Sequence, residues 1–312
     1  MPANTSDAKR TATNAPGRPH AAVERLHTLL RDAEQTGRPL VMGIVNVTDD
    51  SFSGDGLKGD TAAAIAQAKA QAAAGADIID LGAESTRPGA APVSFQQEIH
   101  RLVPVIEALR HDLPQTLLSV DTRNAGTMRA AAVAGAHLIN DISALEGEGS
   151  LDAVLRTGLP VVLMHMQGQP GSMQQAPQYA DVTAEVRDYL AGRIAACRAA
   201  GLPRDRILID PGIGFGKTVD HNLALLQRLQ AFRLLGYPLL VGVSRKSFIG
   251  AIAREADAQR RLPGSIAAAL WAAQQGAKIL RVHDVPETMQ ALDVWQAMSR
   301  GGLEAEKFNE SA

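Results

Sequence analysis

Ala74-Gly-Ala-Asp-Ile-Ile-Asp-Leu-Gly82 returns twice in nearly the same form, as Ala134-Gly-Ala-His-Leu-Ile-Asn-Asp141 and as Gln275-Gly-Ala-Lys-Ile-Leu-Arg-Val-His283. Each copy follows an alanine-rich stretch with helical spacing. The glycine therefore reads as a helix C-cap, and the apolar run after it as a buried strand fed directly by that helix. A polar side chain then ends the strand. Five further runs fit the strand half of the unit, at 40–47, 116–121, 160–165, 206–210 and 238–244. Strict βα alternation implies a parallel sheet with right-handed crossovers. Eight units in 312 residues favour a single closed (β/α)8 TIM barrel over an open doubly wound sheet. No Gly-x-Gly-x-x-Gly follows the first strand, which also counts against the open sheet.

The expected organisation is an α/β barrel over 39–300 with an N-terminal extension. Residues 1–20 are rich in Ala, Thr, Asn and Pro without periodicity and read as a disordered tail, and 301–312 read as a C-terminal tail. Within 21–38, leucines and a valine at helical spacing predict a helix packed across the bottom of the first strand. A net charge of −2 leaves no electrostatic footprint for nucleic acid or an anionic membrane, and no apolar run is long enough to cross a bilayer. The single cysteine, Cys197, lies in a helical pattern, excludes an internal disulfide and suits a reducing cytoplasm. The partners expected are small molecules or a second copy of the chain.

In such a barrel the C-terminal ends of all strands meet at one mouth. Those ends carry Asn46, Glu84 with Thr86, Asp121, Asn140, His165, Asp210, Ser244 to Lys246, and Arg281 with His283. Asp210 opens Asp210-Pro-Gly-Ile-Gly-Phe-Gly-Lys217, where Pro211 ends the ladder and the glycines permit a loop that wraps closely around a ligand. Gly216-Lys217-Thr218 ends like a P-loop, but Pro211 stands where that motif opens with glycine. Arg281 and His283 alternate, so they share a side; with Val282 packed outward, both point into the barrel and suggest an anion site. Ser244 reads as an N-cap, placing Arg245 and Lys246 in a first helical turn where the dipole disfavours cations by ~0.3–1 kcal/mol each. A sequence that accepts this cost wants positive charge at the mouth. Asp121-Thr122, Asp141 with Ser143, and Asp284 with Glu287 have capping readings, preferred for Asp284. Asn140 suits the edge of a heterocycle. His165 and His283 have no Cys or His partner at ligand spacing, so zinc is not expected. Two long loops, 48–59 and 83–94, read as lids.

These residues resemble the dihydropteroate synthase family over about 40–291. The resemblance rests on Met42-Gly-Ile-Val-Asn-Val-Thr with Asp50-Ser-Phe-Ser53, Glu84-Ser-Thr-Arg-Pro-Gly-Ala90, Ser119-Val-Asp-Thr122, Ile139-Asn-Asp141, Asp210 to Lys217, Ser244-Arg-Lys-Ser-Phe248 and Arg281-Val-His-Asp284. It implies condensation of 6-hydroxymethyl-7,8-dihydropterin diphosphate with p-aminobenzoate, giving dihydropteroate and pyrophosphate with Mg2+, in a homodimer packed through barrel helices. By motif, Asp121, Asn140, Asp210 and Lys246 hold the pterin. Asn46, Thr86, Arg87, Arg281 and His283 take the diphosphate, Asn46 also the metal. Phe52, Pro88, Phe215 and Ser244 shape the p-aminobenzoate pocket, and Gly214 and Met164 complete the substrate-binding set. The first loop departs from the family pattern, with Asp49 in place of a proline and Ser53-Gly-Asp-Gly56 transposing aspartate and glycine. The alternatives are a methyltetrahydrofolate-to-corrinoid methyltransferase-like enzyme, which would need no diphosphate clamp, and a pterin-binding homologue without turnover.

Overall fold

The computed structural model describes residues 18–47, 57–83 and 93–300. Eight parallel strands form its centre: β1 (Leu40–Asn46), β2 (Ile78–Gly82), β3 (Leu117–Asp121), β4 (Leu138–Asp141), β5 (Val161–Met164), β6 (Ile207–Asp210), β7 (Leu240–Gly242) and β8 (Ile279–Val282). Their order is β6-β5-β4-β3-β2-β1-β8-β7, and a parallel bridge between Ile209 and Leu239 brings β6 to β7, so the sheet closes into a barrel. Around it run α1 (Arg18–Thr36), α2 (Leu57–Ala73), α3 (Phe95–Asp112), α4 (Ala125–Ala134), α5 (Ser150–Thr157), α6 (Val182–Ala199), α7 (Val219–Gln227), α8 (Gln230–Arg233), α9 (Ser247–Ala253), α10 (Leu262–Gln274) and α11 (Val285–Arg300). The crossovers after β6 and β7 each hold two α-helices, where the repeat unit predicts one.

Strand alternation sorts the apolar residues into two bodies. Val41, Ile79, Leu118, Ile139, Leu280 and Val282 face outward and pack with the helices in one cluster. Leu40, Met42, Ile78, Leu117, Leu138, Val162, Leu208, Leu240 and Ile279 face inward and fill the lower barrel. Leu26 and Ala33 of α1 join this inner cluster, so α1 is the floor of the barrel. It begins at Arg18, inside the stretch expected as tail. Hydrogen bonds and ion pairs fasten it: His27 Nε2 meets the Asp205 carbonyl at 2.7 Å, and Glu34 pairs with Lys278 at 3.0 Å.

The glycines of the repeated unit adopt the left-handed conformation their C-cap reading requires, with φ of 100° at Gly75, 118° at Gly135 and 98° at Gly276.

Candidate active site

Above the apolar floor the inward positions turn polar. Asp80 stands beside Ser119 in register, Asp121 beside Asn140, and Arg281 beside Gly242. Because Val282 packs outward, Arg281 does point into the barrel. Its Nε donates to Asp80 Oδ2 at 2.6 Å and its Nη2 to Asp121 Oδ2 at 2.8 Å. Asn140 Nδ2 adds a bond to the same Asp80 oxygen at 3.1 Å. Asp80 is fully buried, yet its Oδ1 has no hydrogen-bond partner among the described residues, nor has the buried Ser119 Oγ. Burial pushes the Asp121 carboxyl up to about 7 against the pull of Arg281, with Asp80, Glu98 and Asp141 adding to the rise. Burial also works against the Arg281 charge, but Asp80 and Asp121 outweigh it and hold its pKa above the ordinary value.

The loop after β6 supplies the opposite wall. Asp210 Oδ1 accepts the Gly212 N–H at 2.7 Å, and burial raises its carboxyl to about 6. Gly212 has φ +67°, and a Cβ there would lie 1.9 Å from the His165 carbonyl oxygen; only glycine lets this loop close on the one after β5. At Gly214 a Cβ would stand 3.0 Å from Lys246 Cδ, so the lysine stem lies along the glycine backbone. Its Nζ sits 4.0 Å from the centre of the Phe215 ring. Burial lowers the Lys246 amine to about 8; Arg281 lowers it further, while Asp210 and Asp121 oppose the shift. Ile142, Met164, Met173 and Phe215 form a separate apolar cluster, a hydrophobic wall next to these charges.

Several capping readings give way to pairs that close over long sequence distances. Ser244 is no N-cap: its Oγ lies 3.0 Å from His283 Nδ1 and accepts the His283 N–H at 3.2 Å. Arg245 is left-handed, with φ 59°, and α9 starts after Lys246, which occupies the N-cap position without a side-chain capping bond. Arg245 is therefore not in a helical turn; its guanidinium pairs with the Asp284 carboxylate, with Nε–Oδ2 3.1 Å, which takes Asp284 from its expected capping role. Asp121 likewise serves Arg281, and α4 is preceded by Asn124 with no side-chain capping bond. Asp141 does hold a turn, accepting the Ser143 and Leu145 N–H groups.

Asn46 sits at the exposed end of β1. His283, half-buried beside Ser244, is depressed to about 4, chiefly by burial and then by Arg245 and Arg281. Phe52, Thr86, Arg87 and Pro88, with Glu84 and Asp49, lie outside the described residues. The structure brings Asp121, Asn140 and Arg281 together, sets Gly214, Phe215 and Lys246 beside one another and Ser244 against His283, and adds Asp80, with Ser119 and Lys217, which the sequence reading quotes in motifs without assigning them to the site. The buried Lys217 amine donates to the Phe215 carbonyl at 2.9 Å and lies 3.0 Å from His165 Nδ1. Burial lowers Lys217 to about 7 and His165, with help from the Lys217 charge, to about 3, so the imidazole is neutral. Among the described residues no group of three or more His, Cys, Asp or Glu could hold a metal.

The profile of the family described as pterin binding enzyme matches residues 42–283. The dihydropteroate synthase of Escherichia coli K12 is 51% identical over 83% of this chain and 91% of its own length. The chain belongs to the dihydropteroate synthases of the pterin-binding enzyme family. Two solved structures agree with this family placement. Xanthomonas albilineans dihydropteroate synthase with 4-aminobenzoic acid is 50% identical, with a TM-score of 0.79, over 85% of this chain and 94% of that one. The same organism's enzyme in complex with 7,8-dihydropteroate is 47% identical, with a TM-score of 0.77, over 85% of this chain and 95% of that one. Members of the dihydropteroate synthase family are transferases, and this chain is an enzyme of that class.

Proposed function

We propose that the chain condenses 6-hydroxymethyl-7,8-dihydropterin diphosphate with p-aminobenzoate, releasing pyrophosphate, and that it does so by a dissociative substitution. The observation that carries the reading is the buried pairing of Arg281 with Asp80 and Asp121, facing Asp210 and Lys246. Carboxylates and an amide deep in the barrel suit the donor and acceptor edge of a pterin, and cations at the mouth suit a departing diphosphate. Asp121, Asn140 and Asp210 take the ring. Lys246 lies against Phe215, where it bounds both the ring and the path to the mouth. His283 and Arg281 receive the diphosphate, with Thr86 and Arg87 from the second lid. No covalent nucleophile is required, because an electron-rich dihydropterin delocalises the charge left behind. The apolar cluster of Ile142, Met164, Met173 and Phe215 supports the shielded cavity such a cation needs, and Phe215 with Ser244, Phe52 and Pro88 shapes the site for p-aminobenzoate.

For Mg2+ the described residues offer the Asn46 amide oxygen, a hard donor that fits an ion held largely by substrate phosphates. Bound there, Mg2+ would offset charge on the leaving group. The chain acts in the cytoplasm as a homodimer; the exposed Ile252, Trp271, Val294 and Met298 on α9, α10 and α11 support association through these helices. No described helix is long and apolar enough to cross a membrane.

The test is to mix the purified protein with the pterin diphosphate, labelled p-aminobenzoate and Mg2+ and to follow dihydropteroate and pyrophosphate. Equimolar products support the reading. Binding of both substrates without product would leave a pterin-binding homologue, and methyl transfer to a corrinoid would replace the synthase reading.

A further inference from the structure

The opposite end of the barrel carries a second cavity of about 830 Å³, between the start of α1 and the C-terminal ends of α3, α4 and α5. Its apolar surface comes from Ala22, Ala132, Val133, Ala136 and Leu159, and its charged groups are Arg25, Arg110, Arg129 and Arg156. Among the described residues no carboxylate lines it.

Arginines near helix C-termini ordinarily answer the partial negative charge of the last carbonyls. Arg110 does this: its Nη1 donates to the Ala134 carbonyl at 3.1 Å. The other three do not. Arg25 Nη2 is buried with no acceptor among the described residues. Arg129 and Arg156 have neither a hydrogen bond nor an ion pair among the described residues. His137, also on the wall, accepts the Leu118 N–H through Nδ1 at 3.0 Å, which leaves its Nε2–H as a donor. The cavity thus presents donors and cations around an apolar floor, in a chain whose net charge is −2.

We infer that this cavity is a binding site for a small polyanion of the polyphosphate kind, separate from the active site at the other end of the barrel. The three unengaged guanidinia bind the anionic groups, and the alanines and Val133 accommodate an apolar moiety where the ligand has one. A free polyphosphate and a nucleoside polyphosphate share this chemistry.

The experiment is calorimetric titration of the full chain with inorganic triphosphate, ATP and adenosine. The active site also accepts phosphates, so three proteins are compared: the unaltered chain, Arg281→Ala, and the doubly substituted Arg129→Glu/Arg156→Glu, both of whose sites are exposed. The expected result is triphosphate binding that survives Arg281→Ala, weakens with salt, and falls by about tenfold or more in the double variant. Circular dichroism verifies that the double variant is folded; if it is not, Arg129→Gln and Arg156→Gln are titrated singly. ATP binding equal to triphosphate assigns the site to the phosphate chain alone, and tighter ATP binding assigns the base to the apolar floor; both support the site. Unchanged affinity in the arginine variants, binding abolished by Arg281→Ala, or adenosine binding as tightly as ATP would each overturn it. None of these outcomes depends on the condensation reaction.

Discussion

Arg281 on β8 reaches past β1 to Asp80 on β2, with 2.6 Å between Nε and Oδ2, and holds Asp121 with its other edge at 2.8 Å. One guanidinium is thus shared by two carboxylates in the barrel interior. Removing one partner of a buried pair leaves an uncompensated charge and costs up to ~3–5 kcal/mol, whereas neutralising both is far less harmful. Arg281→Met leaves both carboxylates without their cation and should therefore lower the urea midpoint strongly, and adding Asp80→Asn should recover part of the loss by removing one of the two uncompensated charges. Additive losses in this double-mutant cycle would show that the pair is not coupled.

The pH profile follows from the same buried groups. Folded Asp210 and Asp121 titrate near about 6 and about 7, above the ordinary carboxylate value, so the native state holds their protons more tightly. The stability they contribute is present at low pH and is lost as pH rises from about 4 to about 7. Lys246, lowered to about 8, does the reverse, contributing increasing stability from about 8 to about 10. Ligand binding needs ionised carboxylates and a charged amine. Affinity for the pterin diphosphate should peak between about 7 and about 8, and Lys246→Arg should move the alkaline limb upward. Calorimetry from about pH 5 to about pH 10 checks this, and a flat profile would remove these groups from the binding site.

Two left-handed glycines separate strain from collision. Gly37, with φ +66° and no atom within 4 Å of a built Cβ, bears only the backbone penalty on substitution, roughly 1–2 kcal/mol as alanine. Gly212→Ala adds a clash with the His165 carbonyl and should cost a further ~1–3 kcal/mol, with weaker pterin binding as the loop is pushed off β5. Urea unfolding of both variants gives the comparison; equal losses would mean that the loop moves aside freely.

Leu26 is 1% exposed inside the barrel floor, whereas Leu234 is 84% exposed. Leu26→Ala should destabilise by ~2–5 kcal/mol and Leu234→Ala by no more than ~0.5 kcal/mol. Thermal melts distinguish them, and similar midpoints would show that α1 does not pack as the floor.

What the sequence makes legible is whatever repeats or alternates. The helix, glycine and strand unit locates the strands, and the spacing of Arg281 and His283 gives their common inward face. What stays hidden depends on partners remote in the chain. Nothing near Asp80 distinguishes a mid-strand carboxylate facing the barrel from one facing solvent; its guanidinium partner is 201 residues away. Lys217 meets His165 across 52 residues, and Asp284 meets Arg245 across 39. The left-handed Arg245 turn has no glycine to announce it, which is why Ser244 reads locally as a cap.

The floor of the barrel also sets an order of assembly. On the ribosome α1 is made before every strand of the barrel, yet the surface it covers includes Leu208, Leu240 and Ile279, the last of these on β8. The helix therefore leaves the exit tunnel with its apolar stripe unserved until nearly the whole chain has been synthesised, and this stripe is surface on which a chaperone can act. The full seat of α1 exists only once β8 has been made, so a nascent chain that stalls before β8 carries an open barrel at its base.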